Sequence, residues 1–150
     1  MAARHKGTPR ERRALAAYIN LLRATNTVSS QAMRQLDSHG VTPSQFAVLE
    51  ALYHVGPMCL SELARKILRT SGNLTMVVDN LEKSGMVKRV QSASDRRYFS
   101  VEITDKGGKL IAGIFPEHAA QITEAMSRLT PEEQETLREL CRKLGVPSEQ

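Results

Sequence analysis

Ser94-Asp95-Arg96-Arg97 lies between two runs with strand character, Met86–Gln91 and Tyr98–Thr104. In the second run Phe99, Val101 and Ile103 alternate with Ser100 and Glu102, the period of two expected of a strand with one buried face. Together the three pieces read as a hairpin with a charged tip. Two adjacent guanidinium groups have little use in a packed core and suit a nucleic-acid groove. The Asp beside them is placed to hold one of them through a two-point hydrogen bond. Taken alone, a polar tip that happens to carry Arg is an equal alternative, so the elements on either side decide.

Upstream, Thr70-Ser71 opens a helix that runs to Ser84 and stops at Gly85. Leu74, Val77, Val78 and Leu81 share one face; the opposite side presents Gly72, Asn73, Thr75, Met76, Asp79, Asn80 and Lys83. Small and hydrogen-bonding residues at the start of such a helix suit base edges in a major groove, and Ser71 with the free N–H groups there suits a phosphate. An ordinary amphipathic helix has the same periodicity. Before it, Ser61 reads as the cap of a short helix through Leu63, Ala64, Ile67 and Leu68. Thr42 caps an earlier one, with Pro43 in its first turn and Phe46, Leu49, Leu52 and Tyr53 as its buried stripe. Helix, short turn, polar-faced helix and charged hairpin, in that order, define a winged helix-turn-helix. The wing arginines would enter the minor groove, and Ser71, Lys88 and Arg89 would hold flanking phosphates.

The chain ends are helical as well. Leu15, Tyr18, Ile19, Leu22, Met33 and Leu36 predict one long helix over 11–37, closed by His39-Gly40. Lys109–Leu129 predicts another, with Pro116 as a kink. Thr130-Pro131-Glu132-Glu133 is a strong start for a last helix, whose stripe of Leu137, Leu140, Cys141 and Leu144 ends at Gly145. The fold class expected is therefore mainly α with a small β-hairpin wing. Its 150 residues, without tryptophan and with few aromatics, suit a single domain of packed helices.

Net charge is +5 with a pI near 9.5, which favours polyanionic partners. The basic residues Arg4, Lys6, Arg10, Arg12, Arg13 and Arg23 read as a solvated tail or a phosphate-contacting arm. No apolar run approaches ~18 residues, so no membrane partner and a cytoplasmic location are expected. Cys59 and Cys141 lack metal-ligand spacing, and His5, His39, His54 and His118 are scattered, so neither a metal nor another cofactor is expected. No nucleophile–base motif or phosphate-binding glycine loop points to an enzyme.

From about Thr42 to Gly107 the chain resembles the MarR family of bacterial transcriptional regulators. The resemblance is carried by Leu60-Ser61-Glu62-Leu63-Ala64, by Leu74-Thr75 with Leu81-Glu82-Lys83-Ser84-Gly85-Met86-Val87, by Asp95-Arg96-Arg97, and by Ile103-Thr104-Asp105-Lys106-Gly107. It implies a DNA-binding lobe over about 42–107 and dimerisation helices over about 10–38 and 108–146. It makes Arg97 the minor-groove residue, Asp95 its brace, and Asn73, Thr75 and Met76 major-groove residues. The full DNA-contacting set expected is Ser71, Gly72, Asn73, Thr75, Met76, Asp79, Lys83, Arg89, Asp95, Arg96 and Arg97.

The resemblance further implies a homodimeric regulator, usually a repressor, on a pseudo-palindromic operator of double-stranded DNA. Ile122, Met126, Leu137, Leu140 and Leu144 are candidate dimer contacts, with packing inside one subunit as the alternative. Family members commonly carry a pocket for anionic phenolic effectors. Tyr18, Leu22, Phe46, Tyr53, His54, Phe115 and His118 are the candidates here, each also a candidate for plain core. Two other readings stand beside this one. Cys59 is either a thiol switch or a buried, inert residue, and Cys141 reads as core. A winged-helix module that binds protein without reading DNA is the remaining alternative.

Overall fold

Side-chain caps and three glycines set most element boundaries in the computed structural model, which describes residues 6–67 and 74–145. The expected helix start at Thr70-Ser71, together with Leu68, Gly72, Asn73, Arg4 and His5, lies outside the described residues. Helix α1 spans Pro9–Ala32. Its first turn is closed by Thr8, whose backbone N–H donates to Glu11 Oε2 at 2.6 Å while Thr8 Oγ1 accepts from Glu11 N at 3.2 Å. The single helix expected over 11–37 is corrected: α1 stops at Ala32, and Leu36–His39 form a separate 3-10 turn. Met33 and Leu36 are three residues apart, a spacing common to both helix types, so periodicity did not separate them. Gly40 ends the turn at φ 67°, with Leu36 buried at the start of the turn and Val41 just beyond the glycine.

Helix α2 spans Pro43–Val55 behind a complete capping box between Thr42 and Gln45. Phe46, Val48, Leu49 and Leu52 are buried, Phe46 completely, which removes enough apolar surface to contribute roughly 2–3 kcal/mol. Tyr53, expected in this stripe, is exposed instead. It lies in the last turn, where Tyr53, His54 and Val55 all reach solvent. Helix α3 spans Leu60–Lys66. Its cap is Cys59 rather than Ser61: the Cys59 N–H donates to Glu62 Oε2 at 2.9 Å. That bond and the Cys59 side chain hold the Glu62 carboxyl below its ordinary pKa.

Helix α4, described over Leu74–Lys83, turns Val78 and Leu81 into the core with Leu74 and Val77 half-buried beside them. Gly85 closes it at φ 74°, with Met86 N bonded to Leu81 O and Gly85 N to Glu82 O, the two bonds of a Schellman turn. Strands β1 (Val87–Gln91) and β2 (Phe99–Ile103) pair antiparallel, Val87 opposite Ile103 and Gln91 opposite Phe99. Met58 adds a bridge to Val101 through bonds of 2.9 and 3.2 Å.

Helix α5 spans Asp105–Met126 and continues through Pro116. It begins four residues before the expected Lys109 because Thr104 serves its first turn, Thr104 Oγ1 accepting from Gly107 N at 3.2 Å. Helix α6, Pro131–Gly145, starts as expected, with Thr130 and Glu133 bonded reciprocally.

The chain divides into two compact units, one of residues 33–118 and one of residues 1–32 and 119–150. The first is wider than a lobe over 42–107 because Leu36, Ile111 and Ile114 bury in the same core as Phe46, Leu63, Val78 and Val101. In the second unit α6 buries none of its residues, and Cys141, expected in the core, is exposed. Gln134 Nε2 reaches Met126 O and Leu129 O, both at 3.2 Å, and ties α6 to the end of α5.

At Gly107 an added Cβ would meet Met86 O at 2.2 Å and Ile103 Cγ1 at 2.9 Å. A backbone oxygen held by a turn cannot give way as a flexible side chain can. We expect Gly107→Ala to cost about 2–3 kcal/mol, read as a lowered denaturation midpoint with an unchanged slope in urea.

Candidate nucleic-acid interface

Helix α4 carries Thr75, Met76, Asn80 and Lys83 on its exposed side, as the periodicity predicts. Ser71, Gly72 and Asn73, expected to share that side, lie outside the described residues. Asp79 is half-buried, and its carboxylate is engaged: Arg89 Nη2 donates to Asp79 Oδ1 at 2.5 Å. The same guanidinium reaches Glu82 Oε1 at 2.9 Å through Nη1, and the Arg89 backbone N–H donates to Glu82 Oε2 at 3.0 Å. The Arg89 carbon Cζ lies 5.4 Å from the centre of the Phe99 ring. Partial burial lowers the pKa of this guanidinium, and the Asp79 and Glu82 bonds more than offset it, leaving a net rise.

At the hairpin tip Asp95 performs the bracing that its position predicts. Arg97 Nε donates to Asp95 Oδ1 at 3.1 Å and Nη2 to Oδ2 at 2.9 Å, a two-point pair. Asp95 Oδ1 also accepts from the Arg97 backbone N–H at 3.0 Å, the short-range bond by which Asp closes a turn two residues on. The Arg97 side chain is 84% exposed all the same, so the fork is held in place yet open to a ligand. These bonds, side chain first and backbone second, keep the Asp95 carboxyl below its ordinary value and raise Arg97 above its own. Arg96 is exposed beside them, its carbonyl accepting from Gln91 Nε2 at 2.6 Å. Lys88 faces Glu102 across the ladder at 3.5 Å.

Of the residues singled out for an aromatic ligand, five form a chain of rings in the unit of residues 33–118. His118 lies 4.6 Å from Phe46 and 6.1 Å from Phe115; Phe115 lies 4.7 Å from His54, which meets Tyr53 edge-on at 5.1 Å. Phe46 has no accessible surface and His118 has 4%, whereas His54 and Tyr53 are exposed. Tyr18 and Leu22 belong to the other unit and are exposed there, at 58% and 44%. Cys59 is half-buried rather than enclosed, its Sγ 3.1 Å from Ser61 Oγ. Among the described residues no three His, Cys, Asp or Glu side chains are grouped to hold a metal, and no helix is long and apolar enough to cross a membrane.

Glu82 carries part of the family resemblance but is not in the expected DNA-contacting set. Its spacing of three from Asp79 places both acids on one side of α4, which is the signal available. The basic strand that they meet is seven to ten residues further on.

A short α3, a polar-faced α4 and a hairpin with an exposed, acid-braced arginine define a winged helix-turn-helix protein that binds DNA. The MarR family model matches residues 41–99. Two Bacillus subtilis regulators of the helix-turn-helix type, YkoM and MhqR, are each 40% identical to the chain. The alignments cover 91% of this chain and 89% of YkoM, and 92% of this chain and 95% of MhqR. The Streptomyces coelicolor MarR family regulator Sco3205, solved in complex with DNA, superposes with a TM-score of 0.80 at 26% identity over 97% of this chain and 94% of its own. The chain belongs to the MarR family of transcriptional regulators, and these relatives are regulators rather than enzymes.

The Asp95–Arg97 pair makes a direct expectation for titration. A carboxyl whose pKa is lowered in the folded protein keeps its bonds above that value and loses them as pH falls through it. Followed by carboxyl NMR, Asp95 should titrate below 3.8, and Arg97→Ala should bring its midpoint back up towards 3.8.

Proposed function

We propose that the protein is a homodimeric repressor that reads a pseudo-palindromic operator and releases it when a small aromatic effector binds. The observation that carries the reading is the two-point Asp95–Arg97 pair on an exposed hairpin tip. A guanidinium held by an acid keeps its orientation without being hidden, which suits insertion into a narrow, electronegative minor groove. Arg96 adds an exposed charge beside it. In the same reading Thr75, Met76 and Lys83, with Ser71, Gly72 and Asn73 before them, meet a major groove from α4.

One such lobe covers only a few base pairs, so a specific complex calls for two. The dimer is supported by apolar surface that a lone subunit leaves bare: Tyr18 is 58% exposed, Leu140 60% and Leu144 72%. Ala14, Tyr18, Leu21, Leu137, Leu140 and Leu144 line one apolar groove between α1 and α6. Surface of this kind is usually covered by a partner. The effector would act by population shift, preferring a dimer whose two α4 helices are wrongly spaced for successive major grooves. The ring chain of Tyr53, His54 and Phe115 is the aromatic surface in the unit of residues 33–118 that supports such a ligand.

Selection of bound duplexes from a random pool at about physiological salt tests the DNA reading. An enriched inverted repeat with half-sites about one helical turn apart is the expected result; salt-sensitive binding without enrichment would sink the operator reading. On the selected duplex, Arg97→Ala should weaken binding and reduce the slope of log K against log salt by about 1. Independently, Leu140→Glu should convert a dimer to a monomer in sedimentation equilibrium at micromolar protein. A variant that sediments like the wild type would remove α6 from the interface.

A further inference from the structure

Arg89 stands where a phosphate contact would be expected, on β1 two residues into the hairpin, yet both terminal nitrogens of its guanidinium are engaged within the protein. Nη2 bonds Asp79, Nη1 and the backbone N–H bond Glu82, and the Phe99 ring lies 5.4 Å from Cζ. Its side chain is only 20% exposed, against 59% for Lys88 and 84% for Arg97. Asp79 and Glu82 belong to α4, Arg89 to β1 and Phe99 to β2, so one side chain touches all three elements.

We propose that Arg89 is a positioning residue: clamped between Asp79, Glu82 and the Phe99 ring, it sets the angle of the wing to the recognition helix. It also offsets one of the two negative charges that Asp79 and Glu82 would otherwise present beside DNA phosphate. This inference rests on the operator reading above. The linkage from α4 to β1 is short and contains Gly85 at φ 74°, a residue type that yields readily in its backbone. A planar five-donor group that bridges two acids three residues apart restrains that pivot in a way a single ion pair does not. Because the guanidinium is largely sheltered, the pair is screened less than one in open solvent. The distance between the exposed face of α4 and the Arg97 fork is then fixed before DNA arrives, and binding need not order it.

The test uses the full-length protein on the selected duplex, with hydroxyl-radical cleavage reporting the minor groove and guanine N7 methylation the major groove. Thermal melting first identifies the variants that fold. Arg89→Met should bind roughly tenfold more weakly and lose minor-groove protection at the wing positions. It should keep methylation protection under α4, and its salt slope should fall no further than that of Arg97→Ala. Arg89→Lys keeps the charge but cannot bridge both acids from one plane, and it should show the same loss of wing protection.

Asp79→Asn/Glu82→Gln, which leaves Arg89 intact, should lose wing protection too, and combining it with Arg89→Met should add little. The proposal is overturned if Asp79→Asn/Glu82→Gln keeps full wing protection, or if Arg89→Met keeps that protection and yet lowers the salt slope by about 1, the signature of a phosphate contact. It is equally overturned if every variant keeps the wild-type footprint. A wild-type protein that protects no duplex would instead remove the operator reading, an outcome separable from failure of the clamp alone.

Discussion

Three successive carbonyl oxygens at the end of α4 find their donors at the start of α5, and the winged unit is organised around that exchange. Ser84 O accepts from Lys106 Nζ at 2.8 Å, Gly85 O from Thr104 Oγ1 at 2.6 Å, and Met86 O from Thr104 N at 3.0 Å. These oxygens lie just past Lys83, the last residue of α4, outside the hydrogen-bond ladder of that helix, and the donors at Thr104 and Lys106 satisfy them within the protein. Here the same Thr104 hydroxyl also accepts from Gly107 N, so it ends one helix and begins the next. The hairpin leaves and returns to this one junction, which closes it at its base. Gly107 is the residue that permits the approach, since any Cβ would occupy the space of Met86 O.

Signals confined to a few neighbouring residues were legible in the sequence. Thr42 with Pro43, Thr130 with Pro131 and Glu133, and Gly85 after Ser84 each specify a boundary by local hydrogen bonding, and each boundary falls within a residue of where that chemistry puts it. The alternation of Phe99, Val101 and Ile103 likewise predicts the strand and its inward face. The Asp95–Arg97 pair belongs to the same class, because its partners are two residues apart.

What escaped depends on where distant chain lies. The end of α1 at Ala32 follows from Leu36 and Val41 burying in the core of the other unit, which no spacing inside 11–37 encodes. Tyr53 has the right phase for the core but sits in the turn of α2 that extends past it, and Cys141 lies on a stripe that none of the described residues buries. Cys59 displaced Ser61 as a cap because Glu62, not the capping side chain, makes the decisive bond. Arg89 and Asp79 both read as surface residues of a DNA-facing element, and only their mutual distance shows that each satisfies the other.

The braced fork at the hairpin tip has an electrostatic consequence that separates distance from contact. Asp95 and Arg97 together carry no net charge, so from afar they are a small dipole whose field decays faster than that of an ion. The long-range pull of the tip on a polyanion therefore comes from Arg96, with Lys88 largely cancelled by Glu102. Arg97 becomes effective only at separations comparable to its own bond to Asp95. Such a tip contributes little to capture or to sliding along featureless phosphate, and acts chiefly once a groove of suitable width has closed around it.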